Sequence, residues 1–156
     1  MTFDEADALN EAIRAIGIRH RALAMAALAP LGIHPGHKLL LLELEAAGPS
    51  TQAQLAAASG YEPPTITVSL RQLETAGLVA RRASRTDARA TIVELTPKGR
   101  ALLPKLKAAW RRVAEQTVMS VATPSHRVTA VLEELAAGLA ANEAPAPDRP
   151  RYVRRG

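Results

Sequence analysis

The sequence has no cysteine, which excludes disulfides, thiolate metal sites and thiol-based redox sensing and removes any argument for an oxidising compartment. Aromatic side chains are scarce, with one Trp, two Tyr and one Phe in 156 residues. A core must therefore be built from Ala, Leu, Val and Ile, a mixture that suits close-packed helices. No apolar run approaches the roughly 18 residues of a membrane span, and no basic segment followed by an apolar one opens the chain; a cytoplasmic location is the expectation. A convergent set of nucleophile, base and oxyanion donor is also missing, so the chain is read as no enzyme and as needing no cofactor. Its length allows one domain with a real core and not two ordinary ones, and the fold class expected is mostly α.

What is present is positive charge, and it is segregated. The net charge is +5, yet residues 71–112 alone carry +8 and the remainder −3. A basic segment set apart in this way is the electrostatic footprint of a phosphate-backbone binder, although a solvated surface gives the same count. The arrangement of elements around the segment chooses between the two.

Thr2 and Glu5 form a capping box, and Leu9, Ile13, Ile16 and Leu23 recur at helical spacing, so a first helix is predicted over about 3–28. His34 precedes Pro35 at the start of a second helix, apolar almost all round and stopped at Gly48. Thr51 and Gln54 cap a helix of about two turns that breaks at Gly60, and a further helix carries Ile66, Leu70 and Leu73 on one stripe until Gly77. Two short helices joined by a tight turn make a helix-turn-helix. Next come "LVARR" and "ATIVEL", β-prone runs that pair as a hairpin. Thr96 and Pro97 restart a helix predicted to 121, and Thr123 and Pro124 start a last one over 124–140. Residues 1–141 form a single domain in this reading, with a winged helix-turn-helix lobe over about 35–96, and 142–156 is a tail rich in Pro and Arg.

A basic hairpin directly after a helix-turn-helix is a wing. The second helix of the pair is expected in a major groove, with Arg82, Arg85 and Arg89 of the hairpin reaching phosphates or the narrow minor groove beside it. Asp87, two residues before Arg89, can hold that guanidinium in one pose before DNA arrives; the alternative is an ordinary exposed ion pair worth well under about 1 kcal/mol. Other residues expected to face DNA are Thr51, Gln52, Pro64, Thr65, Thr67, Val68, Ser69 and Arg71. Hydroxyls at 65, 67 and 69 suit bases or phosphates, Val68 suits a thymine methyl and Arg71 suits the backbone. In the bland alternative Val68 turns inward.

Three stretches, "LAPLGIHPGHKLLLLEL", "PSTQAQLAAASGYEPPTITVSLRQLETAGLV" and "RRASRTDARATIVELTPKGRAL", resemble in this order the multiple-antibiotic-resistance regulator (MarR) family of winged-helix transcription factors. The resemblance covers about residues 9–140, including the wing's D-x-R element and the L-T-x-x-G that follows it. It implies an obligate homodimer on a pseudo-palindromic operator, often released when a small phenolic or anionic ligand enters the cleft between dimer helices and DNA-binding lobe. One departure stands out: where the family commonly has arginine in "S-T-V-T-R", this chain has Val68, so a bidentate guanine contact is missing there.

Apolar stripes at both ends, Leu9, Ile13 and Ile16 on one side and Val121, Val128, Val131, Leu135 and Leu139 on the other, are more than a winged-helix lobe can cover, and a second copy can. Candidates for the ligand cleft are His20, His34, His37 and Trp110. His34 and His37 have the i,i+3 spacing of a metal pair, but no cysteine accompanies them and helix capping is the simpler reading; no metal site is assigned. The function expected is a homodimeric repressor of transcription that binds double-stranded DNA and is released by a small-molecule effector. The alternatives are a winged-helix module that binds protein and a His-liganded metal-responsive regulator. Replacing Arg89 by Ala is expected to weaken binding to a cognate duplex by about 1 to 3 kcal/mol, with Asp87→Ala a milder copy, as read by mobility shift at two salt concentrations; unchanged affinity for the arginine variant removes the wing from the mechanism.

Overall fold

The computed structural model describes residues 1–84 and 90–142, so the expectations for Arg85, Asp87 and Arg89 and for the tail beyond Asn142 lie outside the described residues. The chain divides into two compact units, 1–117 and 118–156. In the first unit, helix α1 (Phe3–Leu28) begins with the reciprocal capping box: Thr2 N–H donates to the Glu5 carboxylate at 2.7 Å and Glu5 N–H to the Thr2 hydroxyl at 3.3 Å. Of its 26 residues only Ala24 and Leu28 are buried. A single 3₁₀ turn around Pro30 leads to α2 (Pro35–Ala47). Expected to be apolar on nearly every side, α2 instead buries one face, His37, Leu40, Leu41 and Leu44, and leaves Glu45, Ala46 and Ala47 exposed. Glu45 pairs there with Lys107 at 2.7 Å.

Helix α3 (Gln52–Ser59) is capped by Thr51, which accepts from Gln54 N–H at 3.1 Å while the Gln54 side chain accepts from Thr51 N–H at 2.8 Å. Helix α4 (Pro63–Thr75) has prolines in its first turn, where the missing N–H groups cost nothing. It ends in the hydrogen-bond pattern of a glycine stop: Gly77 takes φ +70°, and Leu78 N–H reaches back to Leu73 C=O at 2.9 Å. Ile66, Leu70 and Leu73 are fully buried against Leu40, Leu41, Leu44 and Leu55, the centre of a core completed by Leu78, Val79, Val93, Leu95, Leu103 and Leu106.

Strands β2 (Val79–Ala83) and β3 (Thr91–Leu95) pair antiparallel, Val79 opposite Leu95 and Ala83 opposite Thr91. On the far side of β3 lies β1 (Ser50–Thr51), paired through Ser50 with Val93, so the sheet order is β1-β3-β2. Two residues carry no period of their own, and β1 exists only because β3 offers a free edge.

Helix α5 (Pro97–Val118) starts hard against the wing base. Thr96 N–H donates to Leu78 C=O at 3.1 Å, the Thr96 hydroxyl donates to Gly77 C=O at 2.7 Å, and Gly99 N–H donates to that hydroxyl at 3.0 Å. Lys98 Nζ donates to Ala76 C=O at 2.7 Å and so serves the open end of α4. A Cβ on Gly99 would collide with the Leu78 carbonyl oxygen, so only glycine lets the two backbone segments approach this closely. The motif L-T-x-x-G thus has a mechanical reading: threonine caps α5 onto the wing and glycine makes room.

The helix ends at Val118, short of the expected 121, because Met119 and Val121 are exposed and nothing packs a further turn. The second unit contains α6 (Ser125–Asn142), one residue later at its start and two longer at its end than expected. None of its residues is buried; Val128 is half-buried, and Val131, Leu132, Leu135 and Leu139 are exposed. Among the described residues no helix is long and apolar enough to cross a membrane. Gly99→Ala is expected to destabilise the fold by about 1 to 3 kcal/mol, the usual cost of forcing an extra group into a packed contact, measured as a shift in urea midpoint; a variant as stable as the parent overturns the close-approach reading.

Candidate nucleic-acid interface

Helix α4 presents four different sides, because successive residues turn about 100° around its axis. One side is the buried stripe Ile66, Leu70 and Leu73. Opposite lie Pro64, Val68, Arg71 and Thr75, all exposed, with Val68 at 54%. An apolar side chain left that open, on a helix with three fully buried neighbours, has not turned inward. A third side carries Thr67, whose hydroxyl accepts from the Gln52 amide at 2.7 Å, and Glu74, whose carboxylate meets Arg81 of β2 at 3.2 Å. The fourth carries Thr65, Ser69 and Gln72 and faces a cavity.

Each attachment follows from local sequence. Gln52 is the first residue of α3, where the Thr51 cap fixes the chain and directs the amide across to α4. Arg81 and Arg82 alternate on β2; Arg82, diagonal to Glu94 on β3, approaches its carboxylate at 3.6 Å and stays exposed. Thr51 is half-buried by its capping role. Of the residues expected to face DNA, Pro64, Val68 and Arg71 share the outward side of α4, Gln52 and Thr67 join at its flank, and Thr65 and Ser69 line the cavity.

That cavity, about 640 Å³, lies between α1, α2, α4 and α5. His34, His37 and Trp110 line it together, but His20 does not: its ring meets Trp110 edge-on at 5.9 Å and borders a separate cavity with Ile16, Arg19 and Leu23. Arg21, Lys38, Tyr61 and Gln72 complete the functional lining. The sequence reading passed over these four, although Thr65, Ser69 and Gln72 stand at i, i+4 and i+7, a spacing that would have found Gln72. Among the described residues no carboxylate lines the space. Lys38 Nζ sits 3.9 Å over the Trp110 ring, and burial pushes its ammonium below the ordinary value.

The most constrained polar side chain here is His37, buried at 9% exposure. Its Nδ1 lies 3.4 Å from the His34 backbone N–H and its Nε2 lies 2.9 Å from Gln72 Oε1. Capping at the start of α2 therefore runs from the His37 ring back to the His34 backbone, and both nitrogens of His37 are engaged. Burial lowers the His37 pKa, the Gln72 bond opposes that shift, and the nearby His34 ring adds to the lowering. Among the described residues no group of three His, Cys, Asp or Glu side chains is placed to hold a metal ion.

The model of the MarR family matches residues 31–90. The transcriptional repressor Rv2887 of Mycobacterium tuberculosis is 32% identical over 112 residues, which are 72% of this chain and 81% of that protein. The chain belongs to the MarR family. Membership makes it a DNA-binding transcription regulator, in keeping with the fold. Among solved structures it is similar to the transcriptional repressor CouR bound to a 23-mer DNA duplex, with 27% identity, a TM-score of 0.76, and coverage of 89% of this chain and 97% of that one. It also shares the fold of a mutant MarR from E. coli complexed with operator DNA, with 21% identity, a TM-score of 0.74, and coverage of 89% and 98%.

For this MarR-family chain the His37 environment has a pH signature. The folded state disfavours the imidazolium, so its pKa lies below that of the unfolded chain, about 6.5. Below that pH the unfolded chain takes up a proton that the folded one resists, and stability falls from there down to the folded pKa; above it His37 contributes no pH dependence. Urea titrations at pH 7.5 and 5.5 should show an acid loss that shrinks in His37→Gln, and an equal loss in both proteins would remove His37 as its source.

Proposed function

We propose that this MarR-family protein is a homodimeric repressor that places the outward side of α4 from each copy in successive major grooves of a pseudo-palindromic duplex, roughly 34 Å apart. The observation that carries the reading is the four-sided division of α4. Its buried stripe sets the roll, and the side left over holds Val68 and Arg71, both exposed among the described residues. Val68 packs on a thymine methyl, Arg71 and the exposed Arg82 reach phosphates, and Gln52 with Thr67 meets the edge of the groove. With valine where a guanine-reading arginine is common, affinity rests more on phosphates and wing than on direct base reading.

The second copy answers to the exposed apolar residues Leu9, Ile13 and Ile16 of α1 and Val131, Leu135 and Leu139 of α6, which are too many for a solitary chain to leave in water. The cavity takes a small anionic ligand. Arg21 and Lys38 supply positive charge, the His34 and His37 rings supply polar nitrogens, Trp110 and Tyr61 supply ring faces, and among the described residues no carboxylate repels the guest. Because α4 forms one wall, an occupant that shifts this helix releases the DNA, which makes the protein a repressor lifted by its ligand.

Two substitutions separate base reading from phosphate binding. Val68→Ala should lower affinity for an in vitro selected duplex by about 0.5 to 1.5 kcal/mol and erase the preference for thymine over uracil at one position per half-site. Arg71→Ala should weaken selected and random duplexes alike and reduce the slope of log affinity against log salt by about 1. Fluorescence anisotropy at several salt concentrations reads both, and sedimentation gives the copy number. A monomer in solution, or retention of DNA that salt does not affect, defeats the reading and favours a winged-helix module that binds protein.

A further inference from the structure

Helix α4 is attached to its own lobe on three sides: by the apolar stripe, by Gln52 and Arg81 at the flank, and by one bond on the side that faces the cavity, His37 to Gln72. The first two attachments are ordinary packing and surface pairs. The third is different, because it depends on which nitrogen of a single buried ring carries the proton.

The surroundings determine that choice. Nδ1 faces the backbone N–H of His34, a group that only donates, so Nδ1 must accept. The hydrogen of the neutral ring then resides on Nε2 and is given to Gln72 Oε1, which only accepts. An imidazolium would set a second N–H against that of His34, and a neutral ring of the other tautomer would do the same and keep Gln72 only if that amide turned over to donate. Among the described residues the remaining ionisable groups around the cavity give no help to a charged ring: Arg21 comes from α1, His34 and Lys38 from α2, and the Tyr61 hydroxyl from the segment before α4, with no carboxylate among them. The His34 and His37 rings themselves stand 5.8 Å apart.

We propose that His37, as the neutral ring protonated on Nε2, is the positioning residue that holds α4 in its DNA-reading pose through Gln72. The proposal rests on the reading that α4 carries the DNA contacts. Gln72 adjoins Arg71 in sequence and follows Val68 by one turn, so the bond governs the half of the helix that reaches outward. With the bond intact, Val68 and Arg71 are presented together. With it broken, the apolar stripe still keeps α4 in the core, since such contacts are non-directional, but tilt and roll are no longer set on the cavity side. An occupant of the cavity that engages the ring or the Gln72 amide removes the tie, and this is how the cavity reaches the DNA.

The experiment measures affinity for an in vitro selected duplex and for a random duplex of equal length, using the full chain and four variants, with circular dichroism and sedimentation to show that each remains folded and assembled. His37→Phe keeps a ring of similar bulk without nitrogens, and Gln72→Leu removes the acceptor from an exposed position that the core does not need. Each should cost about tenfold on the selected duplex, the net contribution of one hydrogen bond, and change random-duplex binding by less than about twofold, since phosphates alone hold it. The double variant should be no worse than either single one, because both break the same bond. His37→Gln, whose amide N–H can occupy the place of Nε2, should restore most of the loss, and ¹⁵N chemical shifts of the parent should show the proton on Nε2. Selected-duplex affinity unchanged in His37→Phe, losses that add in the double variant, no recovery with glutamine, or a proton found on Nδ1 each overturn the inference while the DNA-binding reading stands. A parent chain that holds no duplex more tightly than random DNA overturns the reading beneath it, and the inference falls too.

Discussion

The roll of α4 about its own axis is the constraint from which the working geometry descends. Three side chains, Ile66, Leu70 and Leu73, are fully buried on one narrow stripe, and each contributes about 1.5 to 3 kcal/mol by leaving water. Rotating the helix by one residue would expose all three and bury Thr65, Ser69 or Thr67 in their place. Once the stripe is seated, the other sides have no freedom: 100° per residue sends Val68 and Arg71 outward, Thr67 and Glu74 toward α3 and the wing, and Thr65, Ser69 and Gln72 toward the cavity.

The same constraint joins two kinds of chemistry on one short helix. Its outward side is mixed apolar and cationic, suited to a groove that offers methyl groups and phosphates. Its cavity side is neutral and hydroxyl-rich, and the charge opposite it belongs to α1 and α2, as Arg21 and Lys38. Nothing flexible separates these sides, so whatever disturbs one moves the other by displacing a rigid body. Position matters more than contact here: the His37–Gln72 bond sits on the same helix that carries Val68 and Arg71.

The wing is held to this helix by covalent proximity and by a compact junction. Gly77 reverses the chain out of α4, Thr96 bonds to Gly77 and Leu78, and Gly99 lets α5 come down on the Leu78 carbonyl. Arg81 adds an ion pair to Glu74. The exit of α4, the root of β2 and the start of α5 therefore behave as one joint. The L-T-x-x-G that resembles the family's pattern falls at this joint.

Much of this was legible before any coordinates. Capping boxes at Thr2 and Thr51, the stop at Gly77 and the Thr96–Pro97 restart located four helices and the hairpin to within a few residues, because such signals act over three or four neighbours and are written in consecutive letters. The burial of Ile66, Leu70 and Leu73 followed from period alone. What lay beyond reach was everything made between distant segments: β1, which has no period and exists by the grace of β3; the solvent-facing half of α2; the end of α5, set by where packing runs out; the separation of His20 from the other cavity residues; and the pairing of His37 with Gln72, 35 positions apart. Local sequence determined which elements form and which side of each is apolar, since those depend on torsions and periodicity within a few residues. Only the tertiary structure decided which polar side chains meet, because a hydrogen bond needs two atoms within about 3 Å, and the packing of whole helices is what brings them there.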